Sequence, residues 1–453
     1  MNTAAPPCPR AHPLLGSTLD LRRNQIGTYE RAMRESGDVV RLTIGLPGLR
    51  FDMYCLFHPD GVRAVLAGSR EGYSKGNRFY RQVAEVFGWG LLTSEGELWQ
   101  RQRRLIQPLF TRRQIATYVD LMAEEAAAVA GRWERVARNG GVVDANVEMV
   151  QLALRVVGRA IFGDDTTKAS AVLDSSFAVL NRHTFRRAMS PLATPASWPT
   201  PDNRRAERAR RALYAVVDEL IARRGRDGVD GDDLLARLLA ARNPETGAVM
   251  DAQQVRDEAL IFLLAGHETT STALTFTLHL LARHPAEQRL VQDEVDGVLD
   301  GHPPTSDDAP ALARTAMAIK EAMRLYPPAY ALGRLVESDQ EVSGYVIPAG
   351  SNVVVSQFAT HRHPQFWEDA EAFQPARFTA EREAERHRYA YFPFGGGPRA
   401  CIGSHFAMLE ATIAVALLLQ RFQIHSEQET VPLDSAGITL RPAGAVPLRL
   451  TAR

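Results

Sequence analysis

The stretch Phe394-Gly395-Gly396-Gly397-Pro398-Arg399-Ala400-Cys401-Ile402-Gly403 decides how the rest of the chain is read. Glycines stand on both sides of a lone cysteine. They let the backbone run close to a flat object and leave amide N–H groups free to point at the sulfur. The run at 405–419 reads as an amphipathic helix, and the dipole of that helix adds to those bonds in favouring a thiolate. Arg399, two residues before the cysteine, is placed to pair with an anionic group. A lone cysteine is most often a small buried hydrophobe. The ten-residue arrangement around Cys401 points instead to a stabilised thiolate.

Upstream, residues 259–282 are apolar enough and long enough to approach a membrane-spanning helix. Their centre, however, is Gly266-His267-Glu268-Thr269-Thr270, and an acid with three other polar groups at mid-bilayer is costly without partners. A long helix through a protein core, stopped at Arg283-His284-Pro285, fits better. A threonine hydroxyl that bonds back to an earlier carbonyl loosens such a helix and opens a groove. Taken alone, the patch reads equally as a polar kink without chemistry.

Together these segments resemble the cytochrome P450 family, whose haem signature Phe-x-x-Gly-x-Arg-x-Cys-x-Gly is matched at Phe394, Gly397, Arg399, Cys401 and Gly403. The resemblance implies haem b, iron protoporphyrin IX, with the Cys401 thiolate as the axial ligand of its iron. Such a thiolate pushes electron density onto the metal and favours O–O cleavage. Ala265-Gly266-His267-Glu268-Thr269 is similar to the family's oxygen-activation motif. By that likeness dioxygen sits in the groove, Thr269 donates a hydrogen bond to it, and Glu268 relays protons from solvent as a general acid. His267, at the variable position, reads as a local hydrogen-bonding residue.

Two further pairs gain meaning from the resemblance. Glu321 and Arg324 lie one helical turn apart, which by itself is a surface ion pair of a few tenths of a kcal/mol. With 373–378 similar to the family's Pro-Glu-Arg-Phe segment, Glu321, Arg324 and Arg377 are expected to form a buried charge triad. Ala376 stands where an acid is usual. Trp99 and Arg103 are four apart and share a helix face. By the likeness they donate hydrogen bonds to a haem propionate, as Arg399 does and as Arg334 is placed to do, since arginine favours carboxylates.

The 453 residues carry 53 Lys plus Arg against 53 Asp plus Glu, so no overall field points to nucleic acid or a membrane surface. With 45% hydrophobic and 23% charged residues the chain is ordinary and globular. Cys8, Cys55 and Cys401 form neither a disulfide framework nor a structural zinc motif, which fits a reducing cytoplasm. The Pro-rich start lacks a signal peptide or anchor helix. Short strands are expected at 39–44 and 50–57 around the turn at 45–48, and again at 341–358 and 438–450. Between 114 and 299 the pattern is helical, with turns at 139–141, 199–201 and 243–244. The fold class is therefore mainly α with minor β-sheets, and the likeness implies a single haem-enclosing domain over 1–453.

By the same likeness the substrate pocket draws on 79–92, 184–198, Leu264, Ala265, 329–332 and 437–439, mostly apolar, which suits a lipophilic small molecule. The activity implied is insertion of one oxygen atom from dioxygen, hydroxylation foremost, into a terpenoid or other secondary metabolite. A peroxide-driven peroxygenase needs neither Glu268 nor Thr269, and a haem sensor needs neither proton relay nor pocket. The chain ends 50 residues or so after the cysteine motif without a flavin or iron–sulfur module, so electrons from NAD(P)H are expected through a separate ferredoxin reductase and ferredoxin. Arg101, Arg103, Arg104, Arg112 and Arg113, with no acid between 98 and 119, form a basic face that would steer an acidic ferredoxin. A cytoplasmic monomer without a membrane anchor completes the expectation.

Overall fold

The computed structural model describes residues 5–68, 72–163, 167–190, 195–227, 233–242, 247, 249–435 and 437–453. The turn expected at 243–244 and part of the pocket segment 184–198 lie outside these residues. Helices make up most of the fold, and the largest sheet has five strands. The expected hairpin forms from Val39–Ile44 and Phe51–Leu56, antiparallel with Val40 opposite Cys55. Phe51–Leu56 then pairs in parallel with Asn352–Val355, Cys55 opposite Val354, and Leu332–Val336 closes on the other side, Arg334 opposite Val353. A second sheet ties Val142–Asp144 to Pro447–Ala452 and Phe422–His425. The two ends of the chain are thus fastened to its middle, and the architecture is mainly α with minor sheets in one domain.

The axis of the fold is the central helix Ala252–Arg283, about 48 Å long at 1.5 Å per residue. Asp251 caps it by accepting the Gln254 N–H at 2.8 Å. Nearly every side chain from Val255 to Ala282 is buried. The reason is enclosure: helices Ala145–Phe162, Ala313–Leu325 and Ser404–Arg421 all pack against it. Among the described residues no helix is long and apolar enough to cross a membrane.

Some local expectations change. Ser404–Arg421, hereafter the cysteine helix, is not amphipathic: from Glu410 to Leu419 every residue is buried, because it runs between the central helix and Val119–Ala137. The strand expected over 341–358 breaks into Gln340–Val342, Tyr345–Ile347 and Asn352–Val355 before a helical turn at Gln357–Thr360. Ser343 and Gly344 take positive φ between the first two, which forces a hairpin.

Candidate functional site

Cys401 lies in the loop that leads into the cysteine helix. Its N–H donates to the Phe394 carbonyl at 2.9 Å, closing the loop on itself. Gly397 takes φ +63°, and a Cβ there would lie 2.0 Å from the Leu66 carbonyl oxygen. A Cβ on Gly396 would strike the Tyr389 ring. Two of the three glycines are therefore required by the protein's own packing and not only by a flat partner. Cys401 keeps some accessible surface, although its sulfur is set deep among neighbouring protein atoms. Burial there pushes its thiol up, opposed by the Gly403 N–H and by the positive charge of Arg103. Arg103 is close because its Nη1 donates to the Ala400 carbonyl at 3.2 Å.

Arg399 points to the other side of the loop. Its guanidinium stacks over the Trp99 ring at 4.0 Å, and it donates to the Ser94 carbonyl and to Glu95 Oε1, both at 2.8 Å. Trp99 and Arg103 share the helix Gly96–Ile106, as their spacing predicts. Arg334 reaches the same region from its strand, donating to the Tyr80 hydroxyl at 3.2 Å. Lys75, which the sequence reading passed over, is buried beside them and donates to the Leu92 carbonyl at 2.6 Å. Burial, with Arg334 and Arg399 as neighbours, drives the Lys75 ammonium well below its usual range, and Glu95 only partly offsets this. The one cue in the sequence was rarity, since lysine occurs only at Lys75, Lys168 and Lys320.

This donor set can be tested against haem. Among the described residues Arg334 and Arg399 crowd Lys75, with Glu95 the acid acting on it, an imbalance that a pair of propionates would relieve. A thiol pushed up by burial gains its anion only from a nearby cation stronger than one arginine, and a coordinated metal ion deprotonates such a thiol outright. Both halves of the site fit the group, with Phe394 packed at the loop's start against the core.

On the central helix Ala265 is exposed in a stretch otherwise buried, marking an open groove. The Thr269 hydroxyl donates back to the Ala265 carbonyl, the loosening expected of it. A Cβ on Gly266 would meet Val157 at 2.7 Å, so the glycine serves close approach of the helix Ala145–Phe162. Glu268 is turned elsewhere: its Oε2 accepts from Asn181 Nδ2 and Thr439 Oγ1, both at 2.6 Å, and Arg441 lies 3.9 Å from Oε1. Among the described residues neither ring nitrogen of His267 has a hydrogen-bond partner, because its turn of helix faces a cavity, so the local hydrogen bond expected of it is not formed.

The expected triad assembles. Arg324 forms a bidentate pair with Glu321 at 2.7 and 2.9 Å, both side chains fully buried, and Arg377 Nε stands 3.4 Å from Glu321. Arg324 also donates to the carbonyls of His361, Ala370 and Ala372, so the pair staples a segment rather than a surface. Of the basic face, Arg103 turns inward and Arg101 reaches Gln254 at 3.3 Å. Arg112 and Arg113 are exposed at the start of Arg112–Ala116, which packs on the cysteine helix.

Comparison with known proteins agrees with this geometry. The family model for cytochrome P450 matches residues 6–446. The chain is 36% identical to cyclooctat-9-en-7-ol 5-monooxygenase of Streptomyces melanosporofaciens, over 92% of this chain and 88% of that protein. It is 35% identical to pentalenene oxygenase of Streptomyces avermitilis, over 98% and 97%. It superposes on the crystal structure of the cytochrome P450DA heme domain with TM-score 0.89 at 29% identity, covering 100% of this chain and 98% of that one. A haem-thiolate monooxygenase is what the fold and site define. The chain belongs to the cytochrome P450 family.

Proposed function

We propose that this cytochrome P450 hydroxylates a lipophilic terpenoid, RH + O2 + NAD(P)H + H+ giving ROH + H2O + NAD(P)+. The substrate class rests on the two Streptomyces relatives, whose names specify a pentalenene and a cyclooctatenol, and on the mostly apolar make-up of the segments that the family likeness assigns to the pocket. Haem, when bound, supplies the cleavage of dioxygen and the transfer of one oxygen atom to carbon.

The chain's own residues do the rest. Cys401 holds the iron, with the Gly403 N–H and Arg103 stabilising its thiolate. Arg399, Arg334, Arg103 and Trp99 anchor the propionates, joined by Lys75, while Phe394 shields the sulfur. Thr269 presents a hydroxyl in the groove, and Glu268 takes up protons behind it. Electrons reach the cysteine side from a ferredoxin, reduced by its reductase with NAD(P)H and steered by Arg104, Arg112 and Arg113. In this reading residues 1–453 form one domain of a cytoplasmic monomer.

The observation that carries the proposal is the meeting of the Cys401 loop with Arg103 beside the thiol and with Arg399, which gathers Lys75 and Arg334 into one cationic cluster. The test is a screen of cyclic terpenes for a ferric spectral shift, followed by turnover with a surrogate ferredoxin system. Oxygenated product containing one atom from labelled dioxygen is expected from those that shift the spectrum. Shifts and products only with fatty acids or macrolides would overturn the substrate class.

A further inference from the structure

Residues 88–92 lie between the helices Arg78–Phe87 and Gly96–Ile106, and the central helix holds them by their backbone. Asp257 Oδ2 accepts the Trp89 N–H at 2.8 Å, and Glu258 Oε2 accepts the Leu91 N–H at 2.9 Å. Asp257 is itself fixed, since its Oδ1 accepts from Gln253 Nε2 at 2.7 Å. The carbonyls of the stretch are fastened too: Gln102 Nε2 donates to that of Trp89 and Thr93 Oγ1 to that of Gly88, both at 2.7 Å.

The two glycines of this stretch answer to the same two acids. Gly88 takes φ +85°, and a Cβ on it would lie 2.2 Å from Asp257 Cγ. A Cβ on Gly90 would stand 3.0 Å from Glu258 Oε2 and 2.9 Å from Ile261 Cγ1. Side chains are thereby kept out where the loop backbone meets the helix. Burial, aided by the Asp257 charge and opposed by the Leu91 bond, pushes Glu258 up to about 8, so at neutral pH it holds a proton and its grip puts no charge in the interior. Leu91 packs in one apolar cluster with Ile261, Phe262 and Leu264, the last of these next to the groove at Ala265, whereas Trp89 stands half exposed.

We propose that Asp257 and Glu258 are positioning residues for substrate selection: by gripping backbone N–H groups of 88–92 they fix how wide a molecule passes into the groove at Ala265. The inference rests on the reading that residues 79–92 border the substrate pocket, and it names the groups that set that border. Neither carboxyl needs to touch substrate. Because the donors are backbone groups, the hold does not depend on which side chains the loop turns to the pocket. Losing an acceptor leaves a buried N–H without a partner, which weakens the held arrangement roughly ten-fold per bond.

The test uses the ferric, haem-loaded full chain and two azoles whose binding shifts its spectrum, narrow imidazole and wide 4-phenylimidazole. Amide exchange over 88–92 is followed in parallel by mass spectrometry. Asp257→Leu and Glu258→Leu should each speed that exchange and speed association of 4-phenylimidazole roughly ten-fold, with imidazole within about two-fold of wild type. Asp257→Asn and Glu258→Gln keep an acceptor and should restore wild-type values, which a general loosening of the fold would not do. Gly90→Ala, which leaves both acids in place, should act like the Leu variants and decides the matter if those fail to fold. Unchanged exchange in these variants would mean that the acids do not hold the loop, and it refutes the proposal, as would Asn and Gln variants that behave like the Leu ones. Faster exchange with an unchanged ratio of the two association rates would instead overturn the placement of 79–92 at the pocket.

Discussion

Glu258 is a fully buried carboxyl whose Oε2 accepts the Leu91 N–H at 2.9 Å and whose Oε1 has no partner among the described residues. Burial, with the neighbouring Asp257 charge, raises its pKa from 4.5 to about 8, opposed by the Leu91 bond. The folded state therefore keeps a proton that the unfolded chain loses above pH 4.5. Stability is greatest below that pH and falls by about 1.4 kcal/mol per pH unit as pH rises toward 8. The full loss above pH 8 is on the order of 5 kcal/mol, of which about 2 kcal/mol falls between pH 6 and pH 8. Glu258→Gln keeps an acceptor for Leu91 and cannot ionise. In urea unfolding at the two pH values, the Gln variant should gain about 2 kcal/mol over wild type from pH 6 to pH 8. Parallel pH profiles would refute the reasoning, because they would mean that Glu258 ionises equally in the folded and unfolded chain.

Cys401→Ser should abolish the strongly red-shifted Soret band of the ferrous carbonyl complex, which Cys8→Ser and Cys55→Ser should leave intact. Thr269→Ala should bind haem and substrate and consume reductant, yet release more peroxide and less product; unchanged coupling would remove the hydroxyl from oxygen activation. Glu321→Ala leaves Arg324 buried and unpaired, and denaturant unfolding should show a loss of about 3–5 kcal/mol. Reduction by an acidic ferredoxin should slow with rising ionic strength, the Debye length being about 10 Å at 0.1 M, and slow further in Arg112→Glu. Stopped-flow reduction indifferent to both would place the partner elsewhere.

Short-range chemistry was legible in the chain itself. The Cys401 loop, the Glu321–Arg324 turn, the Trp99–Arg103 face and the polar break at 265–269 each lie within a few residues, where helix period and glycine freedom decide which groups can meet. The family likeness carried these to a fold class and a reaction. Tertiary structure decided what distant segments do to one another. It set Phe51–Leu56 beside Asn352–Val355, placed Lys75 among Arg334 and Arg399, and turned Glu268 toward Asn181 and Thr439. It also buried the cysteine helix on all sides from Glu410 to Leu419 and left His267 facing a cavity, without a hydrogen-bond partner among the described residues. None of these follows from local pattern, because burial, desolvation and the direction of a side chain depend on what packs against it from far along the chain.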